Sequence, residues 1–169
     1  MILEIRKYPD PILQQPGEPV SVFDEELRKL VADMFETTYA ENGVGLAAQQ
    51  VGVAKRLATI DTSFGKNPED RLVLINPEII LRDGKLYEEE GCLSFPDIHE
   101  KVQRSAKVRV RAQNEYGEWF EKDATDLLSR CFQHEIDHVD GVLFIFRMSS
   151  LKRDMVLRKI RKLQRDGEW

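Results

Sequence analysis

The stretch His134-Glu135-Ile136-Asp137-His138 constrains this chain more than any other part of its sequence. On an α-helix, two residues four positions apart lie on the same face, one turn above the other. Two imidazoles in that arrangement can hold one metal ion, and a glutamate directly after the first can move a proton. The alternative is a buried helix whose histidines only make hydrogen bonds. Because the chain has only three histidines, the pattern favours a metal site.

The flanking residues predict the helix that this site needs. Asp123 or Thr125 can cap its start, and Gly141 can end it. Four residues recur at helical spacing and share one face: Leu127, Cys131, His134 and His138.

Length and composition bound the class of protein. A chain of 169 residues with 41% hydrophobic content can form one domain with a real core. No apolar run approaches the roughly 20 residues needed to span a bilayer, and the N-terminus has too little apolar length for a signal peptide. We therefore expect a cytoplasmic protein whose two cysteines are ligand or core residues rather than a disulfide. The net charge of −5 gives no overall attraction to nucleic acid.

Positive charge is concentrated at the C-terminal end. Residues 149–169 carry seven Lys or Arg and three Asp or Glu, a net charge of +4, which leaves −9 for residues 1–148. We predict a catalytic, metal-binding domain over residues 1–148 and a basic helix over residues 149–169 that packs on the same domain. The charged face of that helix is either simply solvated or docks on an anionic surface.

The order of predicted elements indicates an α+β fold. Four prolines in residues 1–20 predict an extended arm, and an amphipathic helix follows from Asp24 to about Asn42. Turns are predicted at residues 83–84 and 114–117. Short strands are predicted at residues 56–61, 71–75, 78–81, 85–89, 107–112 and 118–122. We expect antiparallel or mixed β-sheets packed around a central metal-binding helix, with an N-terminal helix and a C-terminal helix.

Residues 43–50, with the sequence Gly-Val-Gly-Leu-Ala-Ala-Gln-Gln, predict a loop of small residues after the first helix. Two glycines around a valine allow another backbone to come close. The spacings of dinucleotide-binding and P-loop motifs are absent, which argues against a phosphate cradle. A tight turn between helix and strand is the alternative that stays open.

A catalytic metal site usually needs a third protein ligand beside an open position. Cys131 lies seven residues before His138, roughly 10 Å along the helix axis, so we interpret it as core or pocket wall. Cys92 and His99 are the remaining candidates. We favour Cys92, because a thiolate is a strong metal ligand and the preceding Gly91 lets the backbone bend.

Two protease patterns can be tested directly against the sequence. The extended metzincin motif fails because Phe144 occupies the place of its third histidine. A thermolysin-like site fails because the only glutamate after Glu135 is Glu168, at the end of the chain.

Three stretches together resemble the peptide deformylase family of the bacterial type. They are Gly-x-Gly-Leu-Ala-Ala-x-Gln at residues 43–50, Glu-Gly-Cys-Leu-Ser at residues 90–94, and Gln-His-Glu-x-Asp-His at residues 133–138. The resemblance covers almost the whole chain. It implies a hydrolase that removes the formyl group from the N-terminal formyl-methionine of newly made polypeptides and releases formate.

The resemblance also implies the chemistry of the centre. Cys92, His134 and His138 match the ligands of one divalent ion, usually Fe²⁺, with Zn²⁺, Ni²⁺ or Co²⁺ as substitutes. Glu135 matches the catalytic carboxylate. The implied partners are formyl-methionine nascent peptides and the ribosome near its tunnel exit, reached through the C-terminal basic helix. We expect a monomer that does not bind membranes.

Substrate contacts follow from the same resemblance. Gln50 and the backbone N–H of Leu93 match the groups that hold the developing oxyanion. Leu127 and Cys131 are candidates for the wall of a methionine pocket, although ordinary core packing explains them equally well. The candidate substrate-binding residues are Gly43, Val44, Gly45, Leu127 and Cys131.

Two residues depart from the family pattern. Phe146 stands where many relatives carry aspartate, and Arg130 stands where an apolar residue is common. Two other classes of function stay open, a catalytically inert metal-stabilised module on the ribosome and a peptidase with an unusual ligand set. The presence of Glu135 and Gln50 argues against the inert module.

Overall fold

Two β-sheets and three α-helices form the fold, and a computed structural model describes residues 1–169. The helices are α1 (Glu25–Ala40), α2 (Asp126–Val139) and α3 (Ser150–Arg165). The strands are β1 (Gly45–Ala47), β2 (Leu57–Asp61), β3 (Arg71–Asp83), β4 (Leu86–Cys92), β5 (Phe95–Arg104), β6 (Lys107–Gln113) and β7 (Trp119–Thr125). The predicted α+β class, with helices at both ends and in the centre, is confirmed.

The larger sheet has the strand order β1-β2-β3-β6-β7, and the smaller sheet pairs β4 with β5. All neighbouring strands are antiparallel. One isolated bridge between Glu18 and Lys55 is parallel. Because β1 is the end strand of the larger sheet, one of its edges has no strand beside it.

Helix α1 begins and ends where the sequence predicts. Asp24 is its N-cap, and its side chain accepts a hydrogen bond from the Leu27 N–H at 3.0 Å. Asn42, just beyond the helix, has a φ of 55°, a left-handed conformation that stops the helix.

Helix α2 packs its apolar residues on the larger sheet. Phe132 and Val139 are fully buried there, against strand residues such as Ile60 and Val108. Gly141 follows the helix with a φ of 79°, in agreement with its predicted role as the end signal. Thr125 is the N-cap residue, although its side chain makes no capping hydrogen bond.

One predicted strand boundary is wrong. Residues 71–75 and 78–81 are parts of the single strand β3. The register against β6 shifts between Ile75 and Glu78. Pro77 lies within that shift and has no N–H to donate, so the strand bends there without ending.

The predicted turn at residues 83–84 is present, and Gly84 has a φ of 67°. The strands on either side of it do not pair with each other, however. Strand β3 pairs with β6, whereas β4 pairs with β5. This turn therefore carries the chain from the larger sheet to the smaller one.

Two elements are absent from the sequence prediction. Strand β5 was not predicted, although its buried residues Phe95, Ile98 and Val102 show which face packs inward. Residues 43–50 are only partly a loop, since β1 occupies their centre and a short 3₁₀ helix, Ala48–Val51, follows.

The C-terminal helix α3 contributes to the interior. Val156 and Ile160 are buried in a cluster with Leu13 of the N-terminal arm and Phe95 of β5. Five basic residues of α3 are exposed, Arg158, Lys159, Arg161, Lys162 and Arg165, whereas Lys152 and Arg153 are half-buried. No helix in the structure combines the length and apolar character needed to cross a membrane.

The packing of α2 predicts a large loss of stability on truncation of its central aromatic residue. Phe132→Ala should lower the free energy of unfolding by about 3–5 kcal/mol, because Phe132 is fully buried and its removal leaves a cavity. The matched control is Leu151→Ala on α3, whose residue is 70% exposed and should change stability by less than about 0.5 kcal/mol. Urea unfolding followed by circular dichroism measures both, and equal values for the two variants would contradict this packing.

Candidate active site

Three predicted ligand side chains meet at one point. The Sγ atom of Cys92 lies 3.4 Å from Nε2 of His138, and the Nε2 atoms of His134 and His138 lie 3.1 Å apart. All three ligand atoms lie within 4.8 Å of one another. The two histidines come from successive turns of α2, while Cys92 is the last residue of β4.

The donor set fits a tetrahedral metal ion. With metal–nitrogen distances of about 2.05 Å, two nitrogens around such an ion lie about 3.3 Å apart, and a sulfur lies about 3.6 Å from each nitrogen. The observed separations of 3.1 and 3.4 Å are close to these values. Burial, together with charge at His134, lowers the pKa of His138 well below its usual range, whereas burial at His134 is outweighed by hydrogen bonds to Cys92 and Glu90, which raise its pKa.

Cys92 lies at the turn of the β4–β5 hairpin, which places its side chain beside the histidines. Its pairing is regular as far as Gly91, and the register shifts between Gly91 and Cys92. Gly91 leaves room for the His99 ring, because a Cβ there would lie 2.8 Å from His99 Cε1. His99 is therefore close to the hairpin turn but is not part of the three-ligand cluster.

Glu135 lies beside the three-ligand cluster and is buried. Its residue is 4% exposed, and its Oε1 atom has no hydrogen-bond partner in the chain. Burial raises the pKa of Glu135 to about 7. Gly45 makes this position possible, because a Cβ at Gly45 would lie only 2.7 Å from Glu135 Oε2.

Behind His134 lies a buried ionic network. Nδ1 of His134 faces Glu90 Oε1 at 3.6 Å, and Glu90 in turn accepts from Arg104 Nε at 3.0 and 3.2 Å. Arg104 Nη1 also donates to Asp137 at 2.7 Å, and Asp137 accepts two further hydrogen bonds from Arg147. Burial raises the pKa of Glu90, but His134 and Arg104 outweigh that effect and hold it below its usual value. The network orients His134 from the side away from its Nε2 atom.

Hydrogen bonds to both the oxygen and the nitrogen of its side-chain amide fix the orientation of Gln50. Its Oε1 atom accepts from the Ala47 N–H at 3.0 Å. Its Nε2 donates to Ser94 Oγ at 3.0 Å and lies 3.6 Å from Cys92 Sγ. The amide N–H₂ group is thereby directed toward the ligand cluster.

A cavity of about 540 Å³ opens beside these residues. Glu135 and His134 form part of its wall together with the β1 segment and the hairpin turn. Arg130, one of the two residues that depart from the family pattern, also lines it and donates to the Glu89 carbonyl at 2.9 Å. The sequence-predicted residues on its wall are Gly43, Val44, Gly45, Gln50, Cys92, Leu93, Leu127, Cys131, His134 and Glu135.

Leu127 and Cys131, which the sequence left open between pocket wall and core packing, differ in burial. Cys131 is 6% exposed and belongs both to the cavity wall and to the core cluster under the larger sheet. Leu127 is 40% exposed at the cavity, so core packing does not account for it. Both cysteines are free thiols.

Sequence reasoning did not find the ionic network or Ser94. Glu90 and Asp137 stood inside recognised motifs, but Arg104 lies in the strand that the sequence analysis missed. A signal was present, since an arginine on the inward face of an alternating segment needs a buried carboxylate partner.

Known proteins are similar to this chain over most of its length. The family model described as polypeptide deformylase matches residues 2–154. A peptide deformylase from Acidobacterium capsulatum is 69% identical over 169 residues, which cover 100% of this chain and 99% of the relative. The crystal structure of a peptide deformylase from Legionella pneumophila superposes with a TM-score of 0.92 at 44% identity, over 99% of this chain and 98% of the other. The crystal structure of a peptide deformylase from Plasmodium falciparum superposes with a TM-score of 0.90 at 39% identity, over 96% of this chain and 95% of the other.

The three-ligand cluster predicts which substitutions remove metal. Cys92→Ser and His134→Ala should each bind Zn²⁺ with affinity lowered by tenfold or more, because a tetrahedral site loses one of its three protein ligands. His99→Ala is the matched control, and it should bind one equivalent like the unmodified protein. Zinc titration with a competing chelator measures the affinity of all three variants. An unchanged affinity in Cys92→Ser would exclude Cys92 as a metal ligand.

Proposed function

This chain belongs to the polypeptide deformylase family, and we propose that Cys92, His134 and His138 hold the metal ion on which the family's reaction depends. The protein is a hydrolase that removes the formyl group from the N-terminal formyl-methionine of newly made polypeptides and releases formate. The observation that carries the site assignment is the meeting of three ligand atoms within 4.8 Å beside a buried carboxylate.

The proposed native ion is Fe²⁺, with Zn²⁺, Ni²⁺ or Co²⁺ as substitutes. One thiolate and two imidazoles form a ligand set that suits all four ions. A bound divalent ion would polarise the formyl carbonyl and lower the pKa of a water molecule to near neutrality.

Glu135 is the proposed proton carrier. Its carboxylate takes a proton from the attacking water and returns it to the nitrogen of the departing amine. A pKa of about 7 suits a group that must do both near neutral pH. Gly45 supports this role by leaving space for the carboxylate against β1.

Gln50 and the Leu93 N–H are the proposed donors to the oxyanion that forms on the formyl oxygen. Gln50 is already oriented by Ala47 and Ser94, so little reorganisation is needed when charge develops. One such donor stabilises the transition state by about 2.7–4 kcal/mol in a comparable hydrolase.

The free edge of β1 is the proposed binding place for the peptide. Gly43, Val44 and Gly45 line the cavity along this edge, where an extended peptide can add as a further strand. Leu127 and Cys131 form the proposed wall for the methionine side chain.

Removal of the proton carrier or of the oxyanion donor should slow formate release without removing the metal. Glu135→Gln should lower kcat by about 10²–10⁴-fold, and Gln50→Ala by about 10²–10³-fold. Glu41→Gln, at the rim of the same cavity, should stay within a few-fold of the unmodified enzyme. Formate release from formyl-Met-Ala-Ser, with metal content measured in parallel, tests this.

The unformylated peptide Met-Ala-Ser is the substrate control. A hydrolase acting on the formyl group leaves it intact, whereas cleavage of its internal bonds would identify a peptidase. Full activity of Glu135→Gln with normal metal content would rule out the assigned role of Glu135.

The proposed setting is the cytoplasm, where a monomer of this enzyme meets nascent chains at the ribosome. We treat residues 1–148 as the catalytic domain and residues 149–169 as the docking helix on the same domain. The net charge of +4 in residues 149–169 suits an anionic surface such as the ribosome. Val156 and Ile160 are buried, so removal of α3 would damage the core and confuse the test.

Charge removal on α3 is therefore the sharper experiment. The triple variant Lys159→Gln, Arg161→Gln, Lys162→Gln should co-sediment with ribosomes several-fold less than the unmodified protein, because long-range attraction falls with local charge. The control variant Lys7→Gln, Lys66→Gln, Lys122→Gln removes the same charge from other exposed positions. Equal loss in both variants would reject α3 as the docking element.

A further inference from the structure

A second cavity, of about 260 Å³, lies apart from the active site and shares no wall residue with it. It forms where the chain passes between the two sheets, near Gly84, and against the side of α2 that carries Gln133 and Asp137. No hydrophobic residue lines it. We call it the basic cleft, because its wall carries four cationic side chains against one carboxylate: Arg82, Lys85, Arg104, Arg147 and Asp137.

The single carboxylate of the basic cleft is already engaged. Asp137 accepts from Arg104 at 2.7 Å and from Arg147 at 2.9 and 3.1 Å. Arg82 has only a neutral acceptor, the Gln133 side-chain oxygen at 3.3 Å, and Lys85 has none. Two cations therefore face the cleft without a counter-charge, in a protein whose net charge is −5.

Arg104 supplies the second, independent observation. Its side chain is 3% exposed and lines the cleft. The Nε and Nη1 atoms are bound by Glu90 and Asp137, but the Nη2 atom has no hydrogen-bond partner. A buried guanidinium donor without an acceptor is costly, and because Nη2 also lacks contact with solvent, the Arg104 side chain must shift before an acceptor from outside the chain can pair with it.

We propose that the basic cleft binds a phosphate group. A tetrahedral dianion supplies acceptors in several directions, which suits a wall that carries the donors of Arg82, Lys85 and Arg104. The volume is below the roughly 300–1,000 Å³ of pockets for drug-sized ligands, so the cleft suits one small ion or one group of a larger molecule. This binding is separate from deformylation and does not depend on the proposed assignment of the metal site.

The test is a titration of the nickel-loaded protein with inorganic phosphate at constant ionic strength, followed by ¹⁵N NMR. The amide signals of Lys85 and Ser105 should shift to saturation. Arg82→Gln combined with Lys85→Gln should weaken this binding by about tenfold or more, because both uncompensated cations are lost. Arg104→Lys, which keeps the charge but removes the planar fork, should weaken it several-fold.

The matched control is Lys66→Gln combined with Arg165→Gln, which removes two exposed cations elsewhere and should stay within about twofold of the unmodified protein. Shifts that chloride reproduces, or phosphate binding that survives in the Arg82/Lys85 variant, would overturn the proposal.

A second titration with a dinucleotide that holds only a phosphodiester identifies the source of the phosphate group. Tighter binding of the dinucleotide than of inorganic phosphate supports a site for a nucleic-acid backbone. Binding of inorganic phosphate alone supports a site for a small free ion. Failure of both ligands to shift Lys85 and Ser105 would again overturn the proposal.

Discussion

Helix α2 is buried although six of its ten buried residues are polar or charged. A buried charge is costly unless a partner compensates it, and most polar side chains of α2 have a partner from another element, whereas Oε1 of Glu135 has none. Ser105 contacts Gln133, Arg104 and Arg147 contact Asp137, and Cys92 approaches the histidines. These contacts tie the smaller sheet and the segment after α2 to the helix, in addition to apolar packing.

The parts of the fold that sequence predicted well are those governed by local patterns. Helix α1 has a side-chain cap and a stop signal within its own sequence, and α2 shows a helical spacing on its polar face. The hairpin of β6 and β7 follows from the alternation at Val108 and Val110 and from the turn after it. Each of these signals lies within about twenty residues of the element that it specifies.

The parts that the sequence did not reveal depend on contacts between distant residues. Strand β5 has charged residues among its buried ones, and only its pairing with β4 and its burial under α3 explain why Phe95 and Val102 face inward. The division of the strands into two sheets depends on the pairing of β3 with β6, across more than twenty intervening residues. Local propensity cannot decide such a pairing, because alternative partners have the same alternation.

The candidate ligands were accessible to sequence reasoning because metal chemistry restricts the residue types, whereas their supporting residues were not. Any of many carboxylates could face His134 from behind, and the choice of Glu90 follows from the position of β4 beside β5. Arg104 then binds two carboxylates at once, Glu90 beside His134 and Asp137 in the wall of the basic cleft. Since a buried ion pair adds little net stability, its value here lies in fixing the orientation of His134. A substitution at Arg104 would leave two buried carboxylates short of a partner, and the disturbance would reach the ligand cluster through Glu90.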